Sequence, residues 1–97
     1  MYSNYIFEVE DKSGRLIHLS KDRWNRHIKL IHPDVSDSED IIKVLQNPDK
    51  ILESDRDEAV RWYFLYNKQK KKYLKISVKY LNGDGYVITA HYTRKIW

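Results

Sequence analysis

Hydrophobic positions along this chain follow two periodicities, and the switches between them predict the order of its elements. Residues 5–10 and 15–19 alternate apolar with polar side chains around the turn-rich spacer Asp11-Lys12-Ser13-Gly14, the pattern of an N-terminal hairpin of half-buried strands. Past Ser20 the period lengthens, with Trp24, Ile28 and Ile31 at helical spacing. Ser20 suits a helix N-cap, Asp22 and Arg23 fall in the first turn, and Pro33 disfavours helical geometry at His32, so the helix should run to about Ile31. A second helix is expected after the polar break 34–38, capped by Ser36 or Asp37, with Ile41, Ile42 and Leu45 on its apolar face and its end before Asn47-Pro48. Residues 50–53 read as a short strand and 55–58 as a charged loop. Segments 60–66, 73–80 and 86–92, rich in aromatic and β-branched residues, read as three successive antiparallel strands.

The last hairpin is specific enough to predict a register. Leu74, Ile76, Val78 and Tyr80 share one face of the first strand, and Tyr86, Ile88, Ala90 and Tyr92 share one face of the second. A three-residue loop, Gly83-Asp84-Gly85, with Gly85 left-handed, aligns the two sets and pairs Tyr80 with Ile88 and Val78 with Ala90. A two-residue turn would mismatch them. This register sets Lys79 opposite Thr89, Ser77 opposite His91 and Lys75 opposite Thr93, which makes the second face of the sheet polar and basic.

Composition narrows the class. The 97 residues fit one domain, 1–97, and 41% hydrophobic content supports a packed core. With no cysteine there are no disulfides to staple that core. No stretch approaches the roughly 20 apolar residues of a membrane helix, and MYSNYIFEVE has neither the basic nor the apolar region of a secretory leader. A cytoplasmic protein without a membrane partner is expected. Lys plus Arg outnumber Asp plus Glu by 18 to 14, and the resulting charge of +4 favours a polyanionic partner.

Candidate chemistry centres on histidine. In an α-helix His27 falls on the rim of the apolar stripe beside Arg23, while His32 lies about 140° away at 100° per residue, so the two do not share a face. The rim position suits a structural histidine as well as a catalytic one, and His32 beside Pro33 suits a helix end. No His-Glu-x-x-His motif and no ligand spacing is present, so neither a metal nor another cofactor is expected. The Lys68-Gln69-Lys70-Lys71-Lys72 run reads as a solvated hairpin tip or as a nonspecific phosphate contact. The basic sheet face has an ordinary reading as solvent-facing strands. In its functional reading, histidine supplies acid and base while lysine and arginine stabilise a phosphorane.

The order EVEDKSGRLIHLSKDRWNRHI, HPDV, QNPDKI and VKYLNGDGYVITAHYTRKI resembles the phage nucleases grouped with barnase, EndoU, colicin and RelE-type toxins, the PBECR families. The resemblance implies an α+β fold: an N-terminal β-hairpin and two helices packed on one face of a four-stranded antiparallel sheet, whose other face cleaves RNA. It also implies metal-independent cleavage to a 2′,3′-cyclic phosphate, and a toxin or phage effector held by an acidic antitoxin or immunity protein. Position by position it points to His27, His32, Lys79 and Thr89, but Thr89-Ala90-His91 stands where such sequences usually read Thr-Ala-Tyr.

The expected catalytic set is His27, His91, Lys79, Thr89 and Arg23, with His27 or His91 as base and the other as acid. Lys75, Ser77, Tyr66, Lys95 and His32 are expected to contact RNA. Two alternatives remain: a silent RNA-binding module that stacks bases on Trp62, Tyr63 or Tyr66, and a partner-binding domain.

Overall fold

The computed structural model describes residues 4–96; Met1 to Ser3 and Trp97, and with them the first residues of the stretch MYSNYIFEVE, lie outside the described residues. Its strands are β1 (Tyr5–Glu10), β2 (Leu16–Ser20), β3 (Lys50–Glu53), β4 (Val60–Asn67), β5 (Lys72–Leu81) and β6 (Asp84–Thr93). Two helices complete it: α1 over residues 21–31, in three continuous pieces, and α2 (Ser38–Gln46).

The expected four-stranded antiparallel sheet is not what forms. All six strands join one mixed sheet in the order β1-β2-β6-β5-β4-β3. The N-terminal hairpin does not pack on a sheet face. It extends the edge, because β2 pairs with β6 in parallel through Ile17–Gly85 and His18–Tyr86. Gly85 permits this approach: a Cβ there would run into Ile17 Cδ1 and come within 2.8 Å of Val78 Cγ1. At the far edge, β3 pairs antiparallel with β4.

Local chemistry explains the turns and caps. Asp11 Oδ1 accepts hydrogen bonds from Ser13 N, Ser13 Oγ and Arg15 N at 2.8, 2.7 and 3.0 Å, which folds the β1–β2 turn. Ser20 Oγ accepts from Arg23 N at 3.0 Å and caps α1, while Asp37 caps α2 by accepting from Glu39 N at 2.9 Å.

The β5–β6 hairpin departs from the expected register. Asn82 (φ 55) and Gly83 (φ 91) both lie in the left-handed region and make a two-residue turn that pairs Leu81 with Asp84. The mismatch of faces that such a turn creates is absorbed by a bulge: Val78 pairs with Val87 but Ser77 with Thr89, leaving Ile88 extra. Tyr80 therefore meets Gly85 and Ile76 meets Ala90, while Lys79 faces Tyr86, Ser77 faces Thr89 and Lys75 faces His91. Asn-Gly turn chemistry outweighed alternation, and the bulge restored the apolar face beyond it.

That face carries the core. Trp24 and Ile28 of α1, and Ile41, Val44 and Leu45 of α2, pack with Ile76, Val78 and Ala90 in one buried cluster. The expected third member of the α1 stripe, Ile31, is instead 59% exposed. Beside the core, Asp11 also accepts a hydrogen bond from the buried Tyr63 hydroxyl, which bonds in turn to Tyr80. Burial first, and the Asp11 hydrogen bond next, push the Tyr63 hydroxyl pKa far up.

Candidate active site on the histidine face

The site begins with an irregularity in α1. Trp24–Ile28 forms a π-helical turn, closed by the Lys29 N–H donating to Trp24 O five residues back. Beyond Ile28 the chain is α-helical again, with the His32 N–H donating to Ile28 O at 2.8 Å. His32 then leaves the helix at φ −125, ψ 67. The ring centroids of His27 and His32 consequently lie 5.9 Å apart, edge to face. The expectation that these two histidines lie apart on different faces is overturned, because it gave His32 helical geometry and His32 instead leaves the helix.

From β6 the sheet adds the rest. His27 Nε2 and Thr89 Oγ1 share a hydrogen bond at 3.1 Å, and the rings of His32 and His91 are 5.4 Å apart. His32 thus stands between the two histidines proposed from sequence. Lys75, opposite His91, holds its Nζ 4.0 Å from the ring centroid of Trp62.

The electrostatics are those of histidines among cations. Burial lowers the His27 pKa below its usual 6.5, and Arg23 and then His32 lower it further. For His91, burial again comes first, followed by Lys75 and His32, against a smaller opposing pull from Asp34. Burial also lowers Lys75. The net effect at each histidine disfavours the charged form, so both imidazoles are predominantly neutral at pH 7 and able to accept a proton.

Of the expected catalytic set, His27, His91, Thr89 and Arg23 come together. Lys79 points elsewhere, its Nζ 3.2 Å from Asp57 Oδ2, and Lys75 is the lysine beside His91. Among the expected RNA contacts, Lys75 and the largely buried Ser77 lie on this face and His32 is inside the cluster. Tyr66 is exposed further along β4, in edge contact with Tyr73. Lys95 lies past the end of β6, where its backbone N donates to Thr93 Oγ1 at 3.4 Å. Tyr63, named for base stacking, is 1% exposed and packs in the core, so it cannot stack on a ligand.

Sequence reasoning overlooked His18. It is buried between the rings of Tyr5 and Tyr86, hydrogen-bonds Asp84 Oδ2 at 3.1 Å, and has Glu8 Oε2 2.8 Å from Nδ1, out of line for a hydrogen bond. Its strand position gave no hint, since the partners come from β1 and β6. Among the described residues no group of three or more His, Asp or Glu side chains is arranged to hold a metal ion, and no helix is long and apolar enough to cross a membrane.

No protein-family model, curated protein or solved structure matches this chain.

Proposed function

We propose that this chain is a metal-independent endoribonuclease. The observation that carries the reading is the gathering of His27, His32 and His91 with Thr89 and Lys75 where α1 meets the sheet. One of His27 and His91 takes the 2′-OH proton, and O2′ attacks the adjacent phosphorus. The bond from phosphorus to O5′ breaks, the other histidine gives O5′ a proton, and the products are a 2′,3′-cyclic phosphate and a 5′-hydroxyl. Lys75 and Arg23 offset the charge of the phosphorane, and Thr89 orients His27 or a phosphate oxygen through its hydroxyl.

The quoted motifs support placing the chain with the PBECR-type nucleases, as a cytoplasmic toxin or phage effector whose basic surface meets an acidic antitoxin or immunity protein. This assignment rests on the motifs alone, because the sheet is not the one that the resemblance implied. The second reading, a silent RNA-binding module, is favoured by the Lys75–Trp62 stack and the exposed Tyr66.

Incubation with mixed RNA in EDTA, followed by end-group analysis, separates the two. Cyclic phosphate ends that disappear in both His27→Ala and His91→Ala support the enzyme. RNA that stays intact yet binds in a salt-sensitive manner overturns it in favour of the binding module.

A further inference from the structure

The sheet face that carries His91 also holds an aromatic surface that the cleavage chemistry leaves unused. The pairings run in a row across four strands: Leu52 beside Trp62, Trp62 beside Ser77, and Ser77 beside Thr89. With strands about 4.8 Å apart, Trp62 stands roughly 10 Å from Thr89. That is the distance from a phosphate at the histidines to the base of a neighbouring nucleotide.

Trp62 has chemistry on two sides. Over one face of its ring lies Lys75 Nζ, the same ammonium whose charge lowers the His91 pKa. The indole also lines a cavity with Leu52, Glu53, Asp55 and Arg56. Glu53 is drawn toward Arg61, 3.7 Å away, so Asp55 and Arg56 are the acceptor and donor at the polar rim. An apolar floor of Leu52 and indole with such a rim suits a flat heteroaromatic ring with hydrogen-bonding edges.

We infer that this cavity is a nucleobase subsite: one unpaired base of a single-stranded RNA stacks on Trp62 while the adjoining phosphate lies between Lys75 and His91. The inference rests on the reading of the chain as RNA-acting, and it is tested by binding, which does not require cleavage. Aromatic stacking tolerates any base, so the Asp55 and Arg56 rim is where preference among bases arises.

The test titrates a labelled 2′-O-methyl pentanucleotide, which lacks the attacking hydroxyl, against the wild type, Trp62→Ala and Trp62→Phe. Trp62→Ala is expected to bind about 5- to 150-fold more weakly, the range for one lost stacking partner, and Trp62→Phe to recover most of the affinity. An abasic nucleotide stepped along the strand is expected to weaken wild-type binding at one position and to cost Trp62→Ala nothing there. Equal affinities, an abasic penalty unchanged in Trp62→Ala, or no binding by the wild type would overturn the subsite. The Phe variant guards against a loss caused by misfolding. Cleavage of ordinary RNA by the same variants keeps the two ideas apart. Trp62-dependent binding without cleavage retains the subsite and removes the enzyme, whereas cleavage with affinity indifferent to Trp62 does the reverse.

Discussion

Four histidines occur in the chain, and they live in opposite surroundings. His18 sits with carboxylates near both ring nitrogens, Glu8 at 2.8 Å and Asp84 at 3.1 Å, where β1, β2 and β6 meet. His27, His32 and His91 sit among one another with Arg23 and Lys75 close by, and burial and these cations drive two of the three toward the neutral form. Acids around an imidazole make it a structural tie between strands. Cations around one keep it ready to take a proton, and a phosphate group would complement the whole set. The contrast, more than histidine content, distinguishes the site.

Exchanging the effects of the two groups is the strongest way to break this contrast. His27→Ala and His91→Ala are each expected to lower kcat/KM for RNA about 10²- to 10⁴-fold, the usual contribution of a general acid or base, with little change in thermal midpoint. His18→Ala is expected to leave the rate per folded molecule within a few-fold. It should instead lower stability by about 1–3 kcal/mol, read from urea midpoints, because it strips the hydrogen-bonded partner from Asp84 and opens a gap between two rings. A large rate loss in His18→Ala, or an unaffected rate in the other two, would dissolve the distinction.

The pH profile sharpens it. With both site pKa values below 6.5, the bell-shaped kcat/KM profile is expected to peak below pH 6.5 and to fall about tenfold per pH unit on its limbs. The same shifts bear on folding: the folded state binds these protons less readily than the unfolded chain, so the stability from the neutral rings is fully present above pH 6.5. It is lost as pH falls through the lower, folded values. Urea midpoints measured across that range check the sign, and His27→Ala/His91→Ala should flatten the dependence.

Smaller effects separate the lysines. Lys75→Ala is expected to slow cleavage about tenfold or more through lost phosphorane stabilisation. Lys79→Ala breaks only a half-exposed pair with Asp57 and is expected to change stability by less than about 1 kcal/mol and the rate hardly at all. Parallel kinetics on the two variants decide between them.

The order of elements was legible in the sequence because alternation, the helical spacing of Trp24 and Ile28, and the capping residues Ser20 and Asp37 are local signals. The sheet around them was not. Nothing near Ile17 announces a parallel partner 68 positions on at Gly85, and a bulge at Ile88 compensates invisibly for the turn at Asn82-Gly83. For the site, His27, His91, Thr89 and Arg23 followed from residue type and resemblance. The closeness of His32 did not, since it depends on the backbone angles at which His32 leaves α1, and choosing Lys75 over Lys79 required the true register.

The two-residue parallel junction of β2 with β6 has a dynamic consequence. Among the described residues, strand pairing between the N-terminal hairpin and the rest of the sheet is confined to Ile17–Gly85 and His18–Tyr86, with side-chain hydrogen bonds between Tyr63 and Asp11 and between His18 and Asp84 beside it, and β2 leads directly into α1, which carries His27. With so short a paired seam, the hairpin and the start of α1 are expected to open at a lower free energy than the β4–β5–β6 meander, which amide exchange would read as faster exchange in the hairpin. Each opening would draw His27 away from Thr89 and His91. The seam therefore couples a local breathing event to the integrity of the histidine cluster.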